Sequence, residues 1–384
     1  MTRTYLQRPL AVLAAALMLG SIAACSGSAT PSSGVSTTTS ATPSSGASTT
    51  TPAQSAGVAS AAAGPVTCAP GTDGSLTPVA FQLNFTAGGY NAGFALALQE
   101  NYYKDAGLNV SIAKGQGSGT TAKLVASGQA GLAYADAVAV MQLIAKGAKI
   151  KILSTMYQTP TNAVTVLKKS GITKFADLKG KSIAEPVGEA PTALMPILLD
   201  FNKMTDADVK RIPMPGTAMT SALLQGQVDA ILGSTDGYSL ILEEQGAELV
   251  NFPFADYGVA TVGVSIIASE SFLAEHGDTV KCFIQASLKG WDAAIKNPKL
   301  AIDDLVKTFP NDTRPVLNTG QLKAAIALFC TNGAKFVGKA EPEAWTRTVD
   351  IAQKVLKLPT GLPATAYYTY DYLPQTLPTA CPIQ

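Results

Sequence analysis

Apolar and polar positions alternate at residues 81–85, the start of a stretch to residue 146 in which predicted strands and helices succeed one another. Residues 81–85 alternate in this way before a glycine-containing turn, which predicts a strand that ends at this turn. Phe94, Leu98 and Tyr102 then recur every four positions, so we expect them on one face of a helix from about residue 91 to 106. Further strands are predicted at 108–113, 130–134 and 149–156. The stretch 114–121 is predicted to open a short helix, and a further helix is predicted to reach residue 146. This order with short polar loops predicts a mostly parallel sheet covered by helices.

A second succession of predicted strands and helices begins at residue 182 and predicts a second α/β lobe. In both halves a helix is followed by Gly-Gln and then a strand, as LVASGQAGL at 124–132 and LLQGQVDAI at 223–231. The extended runs 163–168 and 262–268 are expected to carry the chain from one lobe to the other, which makes a hinge with two crossings. The part after residue 269 is predicted to be mostly helical. We therefore expect an α/β protein with lobe 1 at 76–164 plus 265–384 and lobe 2 at 165–264.

Composition narrows the possible functions. The 384 residues have a formal charge of +1 and only 14% charged side chains, so no basic face for nucleic acid is expected. The single histidine, His276, argues against a histidine-based catalytic triad or a multi-histidine metal site. We expect no cofactor and no bound metal.

The first 25 residues have the features of an export signal. Arg3 and Arg8 precede an apolar stretch at 9–22, and Ile-Ala-Ala-Cys at 22–25 matches the lipobox of bacterial lipoproteins. A transmembrane anchor is the alternative, but an apolar core of about a dozen residues is short for a bilayer. We expect Cys25 to become the lipidated N-terminus, held on the outer face of the cytoplasmic membrane.

Residues 26–75 are predicted to form a disordered Ser/Thr/Pro-rich tether. The segment contains a near-perfect twelve-residue duplication, at 30–41 and 42–53, and it has too few apolar residues to build a core.

Four further cysteines indicate two disulfides, because an even number in an exported chain is typical of oxidised pairs. Three connectivities are possible. We favour Cys68–Cys381, which would join the two ends of the globular part, together with Cys282–Cys330, which would join two helices. The cysteines have no Cys-x-x-Cys spacing, which argues against a metal or redox centre.

Several segments resemble the substrate-binding proteins of ABC importers, in the group that includes the thiamine-precursor, alkanesulfonate, taurine and nitrate receptors. They are LNFTAGGYNAG at 83–93, YYKDAGLNV at 102–110, GQGSG at 115–119, LVASGQAGLA at 124–133 and FADLKGKS at 175–182. The resemblance implies a two-lobed periplasmic-binding-protein-like (type II) fold that closes on a small ligand. It also implies a monomer whose partners are an ABC permease and its ATPase.

Within this group, MYQTPTNA at 156–163 is similar to the branch that binds pyrimidine precursors of thiamine. The first turn departs from that branch, since residues 84–90 lack its Pro-Asn pair and histidine. The fungal enzyme of the superfamily uses its own histidine and a cysteine cluster, and the matching residues are absent from this chain. The resemblance therefore argues for a binding protein and against an enzyme.

Candidate ligand contacts lie where strands end and helices begin, because small molecules bind parallel sheets at that edge. The polar side chains at these positions are Asn84, Thr86, Tyr90, Ser118, Thr120, Thr121, Tyr134, Asp136, Gln158, Glu189, Thr192, Thr217, Ser234 and Asp236. Some have a plainer role as helix caps: Ser118 or Thr120 is expected to cap one helix and Asp136 the next.

The residue types at this edge favour one ligand class over another. No arginine lies at any of these turns, so an anion would depend on backbone N–H groups at 117–121. Asp136, Glu189 and Asp236 can accept hydrogen bonds from an amino group, and Tyr90 or Tyr134 can stack on a ring. A small neutral or amino-bearing heterocycle is therefore preferred. The alternatives are a receptor for an alkanesulfonate- or nitrate-like anion, a sensor that does not transport, and an enzyme on the same fold.

Overall fold

The computed structural model describes residues 66–187, 189–356 and 358–383. The predicted signal peptide, Cys25 and the duplicated part of the tether lie outside the described residues. Among the described helices, none has both the length and the apolar character needed to cross a bilayer.

The described residues form ten strands and eleven α-helices. The strands are β1 Thr77–Gln82, β2 Leu108–Ala113, β3 Leu132–Asp136, β4 Ile150–Thr155, β5 Asn162–Leu167, β6 Ser182–Pro186, β7 Lys210–Met214, β8 Ala230–Ser234, β9 Leu249–Pro253 and β10 Val264–Ser269. The helices are α1 Ala92–Gln99, α2 Tyr102–Asp105, α3 Ser118–Ala126, α4 Ala137–Ile144, α5 Ala190–Phe201, α6 Gly216–Leu224, α7 Tyr238–Glu244, α8 Glu270–Lys296, α9 Pro298–Thr308, α10 Pro315–Phe329 and α11 Pro342–Leu356.

The strands form two five-stranded sheets with the same internal plan. The first has the order β2-β1-β3-β10-β4 and the second β7-β6-β8-β5-β9. In each sheet the fourth strand is antiparallel to both neighbours, and the remaining strands share one direction. In each sheet the antiparallel strand directly follows, along the chain, a strand of the other sheet. β5 of the second sheet follows β4 of the first, and β10 of the first sheet follows β9 of the second. The predicted two-lobed fold with two crossings is confirmed.

We call the first sheet and its helices the first lobe, and the second sheet and its helices the second lobe. The residues between β4 and β5, 156–161, are the crossing segment. Two of its side chains, Tyr157 and Thr161, line the cavity described below.

The predicted helix at 91–106 is broken in the structure. A short 3₁₀ turn, Gly89–Asn91, leads into α1, and α2 follows only after Asn101, whose φ of 61° is left-handed. A residue in that conformation cannot continue an α-helix, so the regular spacing of Phe94, Leu98 and Tyr102 spans two helices rather than one. The first strand also begins earlier than predicted, because β1 pairs with β2 from Thr77 onward.

The core of the first lobe forms where α1 crosses α8. Phe94 packs between Phe81 and Trp291, with ring centroids 4.9 and 5.6 Å apart. Gly93 lets the two helices approach, since a Cβ at this position would lie 2.2 Å from the Trp291 ring. All three aromatic side chains are buried. This packing fixes the start of α1 and, with it, the turn that carries Tyr90.

The predicted disulfide pairing is wrong. The structure pairs Cys68 with Cys282 and Cys330 with Cys381, each with a Cα–Cα distance of 5.4 Å. The C-terminal segment returns to the end of α10, where Cys381 N–H donates to Lys335 O over 2.9 Å, and so Cys381 meets Cys330. The predicted tether extends to residue 75, but the bond from Cys68 to α8 attaches its last residues to the first lobe.

Candidate functional site

A cavity of about 90 Å³ lies between the carboxyl ends of the two sheets. The first lobe and the crossing segment line one side with Asn84, Phe85, Tyr90, Gly117, Ser118, Tyr134, Asp136, Tyr157, Thr161 and Val264. The second lobe lines the other with Asn162, Glu189, Ala190, Pro191, Ser234, Asp236, Gly237, Tyr238 and Ile241. Since a water molecule needs roughly 10–15 Å³ on this measure, the space suits a molecule with one small ring.

Asp136 stands at the junction of β3 and α4. Its side chain caps α4 by accepting a hydrogen bond from Val138 N over 2.9 Å, and its backbone N–H donates to Ser118 Oγ over 3.0 Å. The predicted cap is therefore confirmed. Burial raises the pKa of the Asp136 carboxyl to about 6, although the backbone donors of α4 oppose the shift. The carboxyl is thus able to change charge close to neutral pH.

Asp236 follows β8 in the second lobe and is buried. Its Oδ2 accepts a hydrogen bond from the hydroxyl of Tyr157 over 3.0 Å. Burial raises the pKa of Asp236, and the hydrogen bonds from Tyr157, Ser234 and Thr161 oppose that rise. Burial also raises the pKa of Tyr157 well above its usual range, and the charge of Asp236 adds to this effect. The tyrosine hydroxyl therefore acts as a neutral donor to the carboxylate.

Glu189 lies at the start of α5, opposite Tyr238 of α7. The Tyr238 hydroxyl donates to Glu189 Oε1 over 3.1 Å. Burial raises the pKa of Glu189 to about 7, and the bond from Tyr238 only partly offsets it. The Tyr238 ring also faces Phe85 of the first lobe at 6.1 Å between centroids. This pair brings apolar surface from both lobes to the same cavity.

Three lining side chains have buried polar atoms without a hydrogen-bond partner among the described residues. They are the Oδ1 of Asn84, the hydroxyl of Tyr134 and the Nδ2 of Asn162. Buried polar groups are almost always paired, so these atoms are available to water or a ligand. Together they offer one acceptor, one group able to donate or accept, and one donor.

The cavity brings together eight of the residues predicted from the sequence: Asn84, Tyr90, Ser118, Tyr134, Asp136, Glu189, Ser234 and Asp236. It does not include Thr86, Thr120, Thr121, Gln158, Thr192 or Thr217.

Three of the residues outside the cavity donate hydrogen bonds to backbone carbonyls. Thr121 Oγ1 donates to Leu83 O, Gln158 Nε2 to Thr155 O, and Thr192 Oγ1 to Pro186 O, over 2.9, 3.0 and 2.7 Å. Thr86 and Thr217 are exposed. The predicted cap of α3 is also wrong, because Gly117 occupies the cap position and Ser118 Oγ instead accepts from Asp136 N.

Sequence reasoning missed the aromatic and crossing residues of the cavity, above all Phe85, Tyr157, Thr161, Asn162 and Tyr238. A usable signal was present for three of them. Tyr157, Thr161 and Asn162 surround Gln158 in the stretch predicted to precede a crossing, and a crossing between two lobes must border the space between them. Tyr238 directly follows Gly237 and is the first residue of α7.

Comparison with known proteins places the chain among related sequences and folds. A family model described as NMT1/THI5 like matches residues 89–301. The 4-amino-5-hydroxymethyl-2-methylpyrimidine phosphate synthase of Aspergillus parasiticus is 25% identical over 258 residues, 64% of this chain and 73% of that protein. The formylaminopyrimidine-binding protein of Halalkalibacterium halodurans is 24% identical over 241 residues, 61% of this chain and 71% of that protein.

Among solved structures, the alkanesulfonate-binding protein SsuA from Xanthomonas axonopodis pv. citri, bound to MOPS, matches with a TM-score of 0.60 and 15% identity. The match covers 77% of this chain and 99% of that one. At this identity the likeness shows the fold alone. The fold and the resemblance predicted from the sequence motifs are confirmed, while the relatives include both binding proteins and synthases.

Proposed function

The chain belongs to the NMT1/THI5-like family, and from this premise we propose that it is an extracytoplasmic solute-binding lipoprotein of an ABC importer. In this proposal the two lobes close on a small nitrogen heterocycle, of the kind represented by thiamine-precursor pyrimidines, and deliver it to a membrane permease. The observation that supports it most strongly is the cavity itself. It lies between the two sheets and combines buried aromatic rings with hydrogen-bonding groups from both lobes.

The chemistry of the lining supports a flat, amino-bearing ring. Phe85, Tyr90, Tyr134, Tyr157 and Tyr238 provide aromatic surface against which a ring can stack. The carboxyls of the cavity accept from amino groups, and Asn162 Nδ2 is free to donate to a ring nitrogen. A cavity of about 90 Å³ also favours a single ring over a larger cofactor.

An anion is the alternative ligand class, because the structurally similar SsuA described above is an alkanesulfonate-binding protein. The described lining contains no lysine, arginine or histidine, and it contains three carboxyl groups. An anion in this space would meet like charges without a counter-charge, which is strongly unfavourable in a buried site. The lining therefore supports a neutral or positively charged ligand.

Enzyme activity is a second candidate, because one relative is a pyrimidine phosphate synthase. The only histidine of the chain, His276, does not line the cavity and contacts Phe272 at the first turns of α8. Cys68, Cys282, Cys330 and Cys381 are all in disulfides. We therefore propose binding without turnover. Incubation with candidate pyrimidines, followed by mass spectrometry of the small molecules, tests this: a changed compound would support the enzyme instead.

Lipid anchoring at Cys25 is proposed from the residues around it. Replacement by Cys25→Ala in the producing bacterium is expected to move the protein from the membrane fraction to the soluble extracytoplasmic fraction. Retention of the variant in the membrane would contradict lipidation at this position. A permease and ATPase encoded beside the protein would favour transport, whereas a neighbouring histidine kinase would favour a sensor.

The ligand itself is testable in two steps. Native mass spectrometry of the purified protein is expected to detect a co-purified small molecule. A thermal-shift series with 4-amino-5-hydroxymethyl-2-methylpyrimidine follows, in which a concentration of about 100 times Kd adds roughly 2.7 kcal/mol to the free energy of unfolding. No shift with any amino-bearing pyrimidine would contradict the proposal.

A further inference from the structure

Three carboxyl groups from two lobes face the same enclosed space. Asp136 belongs to the first lobe, and Glu189 and Asp236 belong to the second. None of the three forms an ion pair with a lysine or arginine in the described part of the chain. Buried carboxylates normally have a positive partner, because removal from water penalises an isolated charge. The described lining thus contains three carboxyl groups and no basic side chain to balance them.

Two nearby arginines are already occupied elsewhere. Arg211 is paired with Glu185 and Asp206, at 2.6 and 2.9 Å, and its Nη2 donates to Thr192 O. Arg314, which immediately precedes α10, is paired with Glu244 of α7, across the gap between the lobes. Neither side chain lines the cavity. The missing positive charge is therefore not supplied by either of these side chains.

The other titratable groups in the cavity are the tyrosines. Tyr90, Tyr134, Tyr157 and Tyr238 all face the carboxyls, and burial raises the pKa of each well above its ordinary value. All four remain neutral at physiological pH. The charge of the described lining is consequently set by the three carboxyls.

We propose that the ligand is recognised through a cationic nitrogen group, a protonated amine or amidinium on a small heterocycle, held by Asp136, Glu189 and Asp236. This inference rests on the proposed function, since it names the charge class of the ligand for the same cavity. The N–H groups of such a cation donate to the carboxylates. Asn162 Nδ2 and the Tyr134 hydroxyl then pair with the acceptor atoms of the ring.

The arrangement also gives the cation a role in closure. Asp136 belongs to the first lobe, whereas Glu189 and Asp236 belong to the second. A cation held by all three carboxyls is therefore attracted to both lobes at once, which favours the closed arrangement. A neutral ring of the same shape offers no such gain, so the site discriminates by charge as well as by size.

The pH dependence has a definite sign. In the free protein the pKa of Asp136 is about 6 and that of Glu189 is about 7, both because of burial. A cation favours the ionised forms, so binding releases protons and strengthens as pH rises through this range. A probe with a fixed charge isolates the effect, because its own protonation does not change.

Isothermal titration calorimetry from about pH 5.5 to about pH 8 tests the inference with two probes. The first is 1-methyl-4-aminopyrimidinium, which keeps its positive charge, and the second is 1-methylpyrimidin-4-one, a neutral ring with the same methyl group. At about pH 8 we expect the cation to bind at least about tenfold more tightly than the neutral ring. We also expect the affinity for the cation to rise at least about tenfold from about pH 5.5 to about pH 8. The affinity for the neutral ring is expected to show no such rise.

Variants assign the effect to the carboxyls. Glu189→Gln and Asp236→Asn are each expected to lower the affinity for the cationic probe by about tenfold or more and to reduce its preference over the neutral ring. Asp256→Asn, at an exposed position of the second lobe, is the matched control and is expected to leave both affinities unchanged.

Two outcomes overturn the inference, and they differ in what they say about the proposed function. If both probes bind with equal affinity at every pH, the charge class is wrong, whereas a receptor for small nitrogen heterocycles still stands. If neither probe binds, the inference is wrong together with the pyrimidine form of the proposed function.

Discussion

The hydroxyl of Tyr157 donates a hydrogen bond to Oδ2 of Asp236 over 3.0 Å, and this bond links the crossing segment to the second lobe. Tyr157 packs in the core of the first lobe, against Phe329 at 5.8 Å between ring centroids. Asp236 lies at the end of β8, beside the cavity. A change at either residue therefore affects both the relation of the lobes and the chemistry of the binding site.

Removal of the Tyr157 hydroxyl should change the stability of the ligand-free protein measurably. We expect Tyr157→Phe to lower the free energy of unfolding by about 1–3 kcal/mol, because Asp236 loses a donor while remaining buried. Urea unfolding at neutral pH measures the change.

Tyr134→Phe is the matched comparison for Tyr157→Phe. The Tyr134 hydroxyl is buried but has no partner in the described part of the chain, so its loss is expected to leave the stability of the free protein unchanged or slightly higher. Equal destabilisation by the two substitutions would contradict the assignment of the bond to Tyr157.

Asp136 has a structural role that can be separated from its charge. Because its side chain caps α4, Asp136→Ala is expected to cost about 0.5–2 kcal/mol of stability, whereas Asp136→Asn keeps a capping oxygen and costs much less. Chemical denaturation of both variants, without ligand, distinguishes them. A similar loss in Asp136→Asn would indicate that the charge, rather than the cap, stabilises this end of the helix.

Stability of the free protein is expected to fall as pH rises from about 4 to about 7. The folded-state pKa values of Asp136 and Glu189, about 6 and about 7, lie above their ordinary values of 3.8 and 4.5. The folded protein therefore binds more protons than the unfolded chain in this window, and raising the pH removes the associated stability. Groups such as Asp208, with a pKa lowered from 3.8 to about 2, act in the opposite direction, and their contribution falls mainly below about pH 5.

Urea unfolding at a series of pH values measures this slope. The total change is on the order of a few kcal/mol, since each unit of pKa shift corresponds to about 1.4 kcal/mol. Glu189→Gln is expected to flatten the slope between about pH 5 and about pH 7, and Asp256→Asn is expected to leave it unaltered. A slope of the opposite sign in the unmodified protein would contradict the burial of these carboxyls.

The two disulfides are expected to appear as Cys68–Cys282 and Cys330–Cys381 in peptide mapping under non-reducing conditions. A double replacement of Cys330 and Cys381 by serine should lower stability by about 2–5 kcal/mol and release the C-terminal segment from the end of α10. Proteolysis of that segment measures its release. Recovery of a Cys68–Cys381 peptide would instead contradict the path of the chain described above.

The alternating pattern was sufficient to predict the two lobes and their crossings. The runs at 163–168 and 262–268 are observed as β5 and β10, Asn162–Leu167 and Val264–Ser269. Strand ends also located Asp136, Glu189 and Asp236, because a parallel sheet places the ends of neighbouring strands at one edge. These features depend on short stretches of sequence, where the period of apolar residues determines the element.

The features that could not be predicted depend on distant parts of the chain. The meeting of Phe85 with Tyr238 joins two lobes, and the pairing of Cys330 with Cys381 depends on the path of the C-terminal segment. Threonines at strand ends were overestimated for the opposite reason. Thr192 donates to the carbonyl of Pro186, six residues earlier, and such a short-range bond is not distinguishable from a ligand contact in the sequence.

The central claim is that the carboxyl-lined cavity between the lobes binds a small amino-bearing heterocycle. The most direct measurement is calorimetric titration of 4-amino-5-hydroxymethyl-2-methylpyrimidine into the unmodified protein, the double variant Glu189→Gln/Asp236→Asn, and the control Asp256→Asn. We predict one binding site in the unmodified protein and the control, with affinity at least about tenfold lower in the double variant. Absence of binding to the unmodified protein, or equal affinity in all three proteins, would contradict the account.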